Sequence, residues 1–151
     1  MLKNKKNSDI TLVTKGVIAH GVNCKGAFGA GVALAIRERW PSVYDCYQRN
    51  TRLGDELLGS CHIIRVDDEL WVANCYTQLS YGGDGKRYAS PEAISRSLEF
   101  AFIHATATSL ELHAPRIGAG LGGLDWGTEV LPIFEELNSE YDGVNVVIHT
   151  I

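Results

Sequence analysis

The alternation of apolar and polar positions along the chain predicts strands and helices in turn. Short, mostly apolar runs bounded by glycine, proline or charged residues predict six strands. Helical composition and spacing predict helices at 32–40, from Pro41 onward, from Pro91 to about Thr108 and at 126–141. The order is roughly β-β-α-β-β-α-β-α-β, and the predicted strands are 9–14, 16–22, 60–66, 70–77, 110–114 and 144–150.

This order predicts a single α/β domain over residues 1–151. Alternating strands and helices form a sheet with helices against its faces, here a three-layer α/β/α sandwich around a mixed, mostly parallel central sheet. Residues 1–7 contain three lysines and are expected to form a flexible N-terminal extension. Ligands of such sheets bind beyond the carboxyl ends of the strands. The glycine-rich loops after strands 16–22 and 110–114 both fall at that edge.

Composition narrows the classes of function. Lysine and arginine total 14 and aspartate and glutamate 18, so the net charge of −4 gives no overall positive field for a nucleic-acid backbone. The four cysteines lack CxxC or CxxH spacing, which indicates reduced thiols rather than a zinc or redox site. We expect no metal and no other cofactor. No apolar stretch approaches the roughly 20 residues that span a bilayer, and the start lacks a signal-peptide pattern. A cytoplasmic monomer without membrane contact is therefore expected.

The first glycine-rich loop follows strand 16–22 and leads into helix 32–40. A strand that runs through glycines into a helix presents backbone N–H groups and the positive helix end to an anion. One glycine would be enough for a tight turn, and the spacing matches neither the P-loop nor the dinucleotide fingerprint. The excess of glycine beside a histidine and an asparagine indicates phosphate binding. The segment reads His20-Gly-Val-Asn23-Cys-Lys-Gly26-Ala-Phe-Gly29-Ala-Gly31-Val32.

The second glycine-rich loop links strand 110–114 to helix 126–141. Two phosphate-binding loops at one sheet edge suit a diphosphate better than a monophosphate. Asp125 is most simply the N-cap of the following helix. Arg116 has two interpretations, as a bidentate phosphate ligand or as part of a structural salt bridge. The segment reads Pro115-Arg-Ile-Gly118-Ala-Gly120-Leu-Gly122-Gly123-Leu-Asp125-Trp126.

Together these two segments resemble the macrodomain family. The pattern is similar to the branch that contains ADP-ribose 1″-phosphate phosphatases and terminal ADP-ribose-protein glutamate hydrolases. The resemblance runs from about Ser8 to the C-terminus, and the two loops are specific only in combination. It implies the macrodomain fold and a cleft that binds ADP-ribose or ADP-ribose 1″-phosphate.

The resemblance also implies roles for individual residues. Asp9 and Ile10 match the pair that contacts adenine, and Asn23 matches the asparagine that hydrogen-bonds the distal ribose. His149 lies where relatives often carry an aromatic residue beside adenine, although an exposed histidine at a strand end is an equally good interpretation. Tyr81 and Phe28 are either walls for the distal ribose or core residues. The other implied ligand-binding residues are Gly29, Ala30, Gly31 and Val32 near the distal ribose, Thr77, Gln78, Pro115 and Ile117, and the diphosphate loop Gly118, Ala119, Gly120, Leu121, Gly122 and Gly123.

His20 is the residue that discriminates between branches of the family. Many macrodomains carry asparagine at this place, whereas the phosphatase-like branch carries histidine. A lone histidine at a strand end is often structural, but beside a phosphate loop it can protonate a leaving oxygen or attack phosphorus. We therefore predict His20 as the catalytic acid or nucleophile and Asn23 as the residue that orients the ribose. Asp125 is a candidate second acid/base or water-positioning residue.

The chain departs from the glutamate hydrolases of this branch. They carry a catalytic lysine where Gln78 follows Thr77, and an aspartate where this chain has Gly122 and Gly123. The favoured function is a metal-independent phosphatase of nucleotide metabolism that converts ADP-ribose 1″-phosphate to ADP-ribose and phosphate. One alternative is a hydrolase that removes ADP-ribose from modified protein or nucleic acid. In that case Lys86 and Arg87 of the polar loop either reach into the site or are solvated. The other is a non-catalytic ADP-ribose reader.

Overall fold

One six-stranded sheet organises the chain, with helices against both faces. The computed structural model describes residues 1–82, 84 and 86–151. Short 3-10 turns lie at Ile10–Leu12 and Thr51–Leu57, and a π-helical turn lies at Trp126–Val130. The strands are β1 Leu2–Lys5, β2 Gly16–Asn23, β3 Cys61–Asp67, β4 Leu70–Gln78, β5 Leu112–Ala114 and β6 Val146–His149. The helices are α1 Gly31–Arg39, α2 Pro41–Asn50, α3 Pro91–Thr108 and α4 Leu131–Glu140.

The strand order in the sheet is β1-β6-β5-β2-β4-β3. Every pair of neighbours is parallel except β3 and β4, which are antiparallel and are joined by a turn at Asp68 and Glu69. The prediction of a mixed, mostly parallel sheet is confirmed. Because β2, β4, β5 and β6 run in the same direction, their carboxyl ends meet at one edge, where the glycine-rich loops begin.

Side chains that alternate along β2 enter two separate cores, one on each face of the sheet. Val17 and Ala19 pack with residues of α3 and α4, such as Phe102 and Phe134. Ile18 and Val22 pack on the opposite face with residues of α1 and α2, such as Ile36 and Tyr47. Both faces of a strand that is buried in this way must be apolar. The predicted three-layer sandwich is therefore confirmed.

The N-terminal segment differs from the prediction. Residues 9–14 do not form a strand, because the Asp9 carboxylate accepts hydrogen bonds from the Thr11 N–H (2.9 Å) and hydroxyl (2.6 Å) and so caps the turn Ile10–Leu12. The edge strand is β1, so the prediction of a flexible extension over 1–7 is wrong for residues 2–5. The Val146 N–H donates to the Met1 carbonyl (2.8 Å), and the Thr150 N–H donates to the Lys5 carbonyl (2.9 Å). Strand β1 thus pairs the otherwise open edge of β6.

Other predicted elements exist with shifted ends. The predicted helix 126–141 is divided into a π-helical turn and α4, because Pro132 near the start of α4 has no N–H to continue the first segment. Strand β5 begins at Leu112, two residues later than predicted. The predicted polar loop 81–88 contains residues 83 and 85, which lie outside the described residues. No helix in the described part of the chain is both long enough and apolar enough to cross a membrane.

Candidate functional site: a cleft between two glycine-rich loops

A cleft of about 680 Å³ opens at the carboxyl edge of the sheet. Volumes between about 300 and 1,000 Å³ are typical of sites for small ligands. Most of the predicted site residues line it: His20, Asn23, Gly29, Ala30, Gly31, Val32, Thr77, Gln78, Pro115, Ile117, Gly118, Gly120, Leu121 and Gly122. The structure therefore brings together residues from β2, β4 and both glycine-rich loops, which are far apart along the chain.

The first loop is held in shape by the side chain of Asn23. Its Oδ1 accepts hydrogen bonds from the N–H groups of Lys25 (2.9 Å) and Ala27 (3.3 Å), and lies 2.9 Å from the Tyr47 hydroxyl. Its Nδ2 donates to the Ala27 carbonyl at 2.7 Å. Only the second N–H of the amide is left for a ligand. Asn23 therefore shapes the loop first and can offer one hydrogen bond to a bound sugar.

The N-terminus of α1 faces the cleft without a side-chain cap. Ala30 is the N-cap residue. The Leu34 N–H is the first in the helix to donate to an earlier backbone carbonyl, that of Ala30 (3.3 Å). In the described structure the N–H groups of Gly31, Val32 and Ala33 have no protein acceptor. Exposed N–H groups at the positive end of a helix form a site for an anion.

The second loop presents a further set of N–H groups to the same cleft. Its ends are fixed by the Gly123 N–H, which donates to Gly120 (3.3 Å), and by the Leu124 N–H, which donates to Gly118 (2.9 Å). A Cβ on Gly122 would lie 2.6 Å from the Gly118 oxygen, so this close turn requires glycine. Among the described residues, the N–H groups of Gly120, Leu121 and Gly122 meet no protein acceptor.

His20 lines the cleft but is only 1% exposed. Its Nε2 lies 2.6 Å from Oδ1 of Asn74 on β4, and the edge of its ring packs against Phe28 at a centroid distance of 5.3 Å. Burial lowers the pKa of His20 from 6.5 to about 4, although the bond to Asn74 acts in the opposite direction. The imidazole is therefore neutral at neutral pH, which does not support a resting role as proton donor.

Thr77 and Gln78 form the part of the floor that β4 contributes. Thr77 is 1% exposed, and its Oγ1 has no protein partner in the described structure. Gln78 also lines the cleft, and its Nε2 donates to the Ser80 carbonyl at 2.7 Å. The exposed side chains of Tyr81 and Leu121 form part of the lining, whereas Phe28 is buried between His20 and Tyr47.

Three predicted residues of the second segment lie outside the cleft lining: Ala119, Gly123 and Asp125. Asp125 is the N-cap of the turn Trp126–Val130 and accepts hydrogen bonds from the Thr128 N–H (2.9 Å) and hydroxyl (2.7 Å). These bonds hold the pKa of the Asp125 carboxyl below its ordinary value. The interpretation of Asp125 as an N-cap is confirmed, and the structure does not bring it to His20 as a second acid/base.

The three residues implied for adenine also lie outside this lining. Ile10 is buried in the core, while Asp9 and His149 border a second cavity of about 460 Å³ against β1, β6 and β5. His149 is buried rather than exposed, with its Nε2 2.8 Å from His113 Nδ1 and its Nδ1 2.6 Å from the Ser8 hydroxyl. The structure brings Asp9 and His149 to one cavity, and their role toward adenine stays a prediction.

Charged side chains near the cleft are mostly engaged with each other. Arg87 bonds Glu129, and Lys86 lies 3.8 Å from Asp84. Arg116 lines the cleft and its guanidinium lies 5.8 Å from the centroid of the Trp126 ring. Among the described residues, no group of three histidine, cysteine or acidic side chains could hold a metal ion, and the four cysteines are free thiols.

Asn74 and Tyr47 are the site residues that sequence reasoning missed. Asn74 is a fully buried polar residue in the otherwise apolar strand β4, and this break in the pattern was the available signal. Tyr47 is a core residue of α2. Its hydroxyl bonds the Asn23 carbonyl (2.7 Å) and accepts from the Gly26 N–H (3.1 Å).

Comparison with known proteins agrees with this geometry. No family model matches the chain. The ADP-ribose 1″-phosphate phosphatase of Meyerozyma guilliermondii is 25% identical over 139 residues, which cover 73% of this chain and 78% of that protein. The DNA ADP-ribosyl glycohydrolase of Mycobacterium tuberculosis is 23% identical over 128 residues, covering 80% of this chain. The alignment spans only 34% of the mycobacterial protein.

Solved structures define the class of fold. The macrodomain protein from Streptomyces coelicolor superposes with a TM-score of 0.82 at 28% identity, over 99% of this chain and 98% of that one. Thermosipho africanus DarTG in complex with ADP-ribose has a TM-score of 0.76 at 19% identity, covering 95% of this chain and 40% of that one. The chain therefore has the macrodomain fold. Within that class, its sequence is similar to ADP-ribose 1″-phosphate phosphatases and to DNA ADP-ribosyl glycohydrolases.

Proposed function

We propose that this macrodomain binds ADP-ribose in the cleft and hydrolyses ADP-ribose 1″-phosphate to ADP-ribose and phosphate. The observation that carries the proposal is the pair of N–H sets, at the start of α1 and in the loop 118–122, that face one cavity of about 680 Å³. A ligand with a diphosphate and a further phosphate group matches two anion sites in a single cleft. The names of the phosphatase relatives support the same substrate.

In this proposal the backbone binds and the side chains act on the distal end. The N–H groups of Gly120, Leu121 and Gly122 hold the diphosphate, and those at the start of α1 hold the terminal phosphate. Preorganised N–H groups stabilise the charge that develops on a phosphoryl group in the transition state. The free N–H of Asn23 orients the ribose, and His20 acts on the scissile bond. Asp125 has no part in this scheme, because its carboxylate caps a turn outside the cleft.

Binding and hydrolysis are tested separately. We expect calorimetry to show ADP-ribose binding by wild type and by His20→Ala, and phosphate release from ADP-ribose 1″-phosphate by wild type. Loss of one proton-transfer group is expected to slow release by roughly 100-fold to 10,000-fold. His104→Ala is the matched control, because His104 packs on Trp71 of β4 from α3, outside the cleft lining. If wild type binds ADP-ribose tightly but releases no phosphate from ADP-ribose 1″-phosphate, the phosphatase function is rejected and the role of a non-catalytic ADP-ribose reader remains.

A second candidate is removal of ADP-ribose from modified DNA or protein. The mycobacterial relatives named DNA ADP-ribosyl glycohydrolase favour it, and the exposed side chains of Tyr81 and Leu121 at the cleft leave room for a bulky group. If the protein releases ADP-ribose from an ADP-ribosylated oligonucleotide or protein faster than it releases phosphate from ADP-ribose 1″-phosphate, this activity replaces the phosphatase as the proposed function.

The four cysteines also bear on where the protein works. Free thiols at Cys24, Cys46, Cys61 and Cys75 support our proposal that the protein works in a reducing compartment such as the cytoplasm.

A further inference from the structure

His20 and Asn74 form a buried polar pair across two adjacent parallel strands. They are directly opposite in the register of β2 and β4, and their side chains are 1% and 0% exposed. The distance between His20 Nε2 and Asn74 Oδ1 is 2.6 Å. The Phe28 ring packs edge-on against the imidazole on the α1 and α2 side of the sheet. The orientation of the His20 ring is thus determined by one hydrogen bond and one aromatic contact.

This hydrogen bond has a defined direction. The Asn74 Oδ1 atom can only accept, so the proton of the bond belongs to His20 Nε2. In a neutral imidazole the other nitrogen, Nδ1, then carries the lone pair. Neither His20 Nδ1 nor Asn74 Nδ2 has a protein partner within the described residues. His20 is therefore held as the tautomer whose free nitrogen is an acceptor.

The pair is unfavourable for stability by itself. A buried polar atom without a partner has lost its hydrogen bonds to water and destabilises the fold. The neighbouring residues of the same strands, such as Val72 and Ile18, are apolar and pack without such a cost. Apolar residues at both positions 20 and 74 would remove the orphaned atoms His20 Nδ1 and Asn74 Nδ2 and leave the strand pairing intact. A polar pair that carries this cost, with His20 in the lining of a ligand cleft, indicates a functional role.

We propose that Asn74 is a positioning residue that holds His20 with its proton on Nε2, so that His20 enters the reaction through Nδ1 as a proton acceptor. This proposal rests on the phosphatase function proposed above. It changes the role predicted from sequence, in which His20 was the acid or nucleophile.

The step can be written with all atoms in balance. A water oxygen attacks phosphorus and forms the new P–O bond, while one water proton moves to Nδ1 of His20. The bond between phosphorus and the 1″ oxygen of the ribose breaks, and this oxygen takes the proton from Nδ1 of His20 as it leaves. One water is consumed, ADP-ribose and phosphate are formed, and His20 returns to its starting tautomer. Nε2 keeps its proton throughout, on the bond to Asn74.

The test compares Asn74→Leu with Asn74→Asp. Leucine removes the acceptor, whereas an aspartate oxygen can still accept the Nε2 proton. Nuclear magnetic resonance of ¹⁵N-labelled imidazole reports directly which ring nitrogen carries the proton. We expect Nε2–H in wild type and Asn74→Asp, and loss of this single tautomer in Asn74→Leu. Without its orienting partner kcat is expected to fall by roughly 100-fold or more, while the affinity for ADP-ribose stays within about twofold.

The control is Asn138→Leu, which removes an amide that bonds the Tyr141 and Val144 carbonyls at the end of α4, outside the cleft lining. An equal fall in kcat in this control would overturn the proposal, as would a wild-type Nδ1–H tautomer or an unchanged tautomer in Asn74→Leu. Asn74→Ala replaces the leucine variant if that variant does not fold. If wild type releases no phosphate, the phosphatase function fails, and the tautomer measurement alone decides whether Asn74 positions His20.

Discussion

At the scale of single residues, burial decides what His20 can do. Burial lowers the pKa of His20 to about 4 from its ordinary value of 6.5, and no charged side chain is among the causes of this shift. A neutral imidazole accepts a proton at neutral pH and cannot donate one as an imidazolium. The same burial couples the protonation of His20 to unfolding, because the imidazole binds a proton more readily in the unfolded chain than in the folded protein.

The stability of the protein should therefore fall as the pH falls below the ordinary pKa of histidine. Between the folded pKa of about 4 and the unfolded pKa of about 6.5, the unfolded chain binds more protons, so acid favours unfolding. From about pH 7 to about pH 5 the loss due to His20 is about 2 kcal/mol in the free energy of unfolding.

Urea unfolding of wild type and His20→Asn at the two pH values measures this loss. The variant should lose about 2 kcal/mol less than wild type over the same pH range. His149, whose pKa burial also lowers to about 4, is present in both proteins, so its contribution cancels in the difference. If the free energy of unfolding depends on pH identically in the two proteins, His20 is not buried as a neutral imidazole.

Asn23 shows how far a residue role can be transferred from a sequence pattern. Asn23 is the last residue of β2 and lines the cleft, and its role toward the ribose stays a prediction. Most of its hydrogen-bonding capacity is nevertheless used within the protein, by Lys25, Ala27 and Tyr47. A sequence motif places such a side chain at a loop but does not show which of its hydrogen bonds are made within the protein.

At the scale of elements, the glycines of the second loop have distinct functions. Gly118 and Gly123 have φ angles of +77° and +79°, and Gly122 is packed against the Gly118 carbonyl. These three positions shape the turn. Gly120 has an ordinary φ, and a Cβ built there would meet no atom of the described residues within 4 Å. Its missing side chain leaves space in the cleft, which predicts a role for Gly120 in ligand access.

Gly120→Val should block the ligand without harming the fold. We expect the Kd for ADP-ribose to rise at least about tenfold, equivalent to about 1.4 kcal/mol, because the valine methyl groups enter the cleft. The free energy of unfolding should change by less than about 0.5 kcal/mol. Calorimetry and urea unfolding measure the two quantities.

The matched control for this substitution is Gly143→Val. Gly143 also has an ordinary φ and open space at its Cβ, but it lies in the turn before β6 and not in the cleft lining. Its variant should bind ADP-ribose like wild type. Equal weakening by both substitutions, or undiminished binding by Gly120→Val, would show that the cleft is not the binding site.

At the scale of the whole molecule, β1 completes the sheet. Its residues Leu2 to Lys5 pair in parallel with Val146 to His149 of β6, and Leu2 packs against the core between the sheet and helices α3 and α4. Without β1 the apolar strand β6 would be an unpaired edge, which favours aggregation. The cleft itself is built from β2, β4 and the loops around them, away from this edge.

Removal of residues 1–5 should therefore reduce stability more than function. Loss of several backbone hydrogen bonds at about 0.5–1.5 kcal/mol each predicts a decrease of about 2–4 kcal/mol in the free energy of unfolding. Binding of ADP-ribose per folded molecule should be unchanged. Removal of Ile151, which is fully exposed, is the control and should have no effect. A truncated protein as stable as wild type would contradict the assigned edge pairing.

Features that depend on neighbouring residues could be predicted from local sequence. Periodicity predicted the parallel strands β2, β4, β5 and β6 and the helices between them, and glycine spacing predicted the two glycine-rich loops that line the cleft. The N-cap role of Asp125 also followed from local chemistry. These features are predictable because backbone torsion angles and capping bonds involve groups within a few residues of each other.

Which distant side chains meet depends on long-range packing. His20 and Asn74 are 54 residues apart, and their bond exists because the register of β2 on β4 places them opposite one another. Asp9 was predicted in a strand, but it caps a turn and lies with His149 in a second cavity. Long-range packing sets such partners, and with them the protonation state of a buried histidine. The tautomer that we propose for His20 could therefore not be predicted from the chain alone.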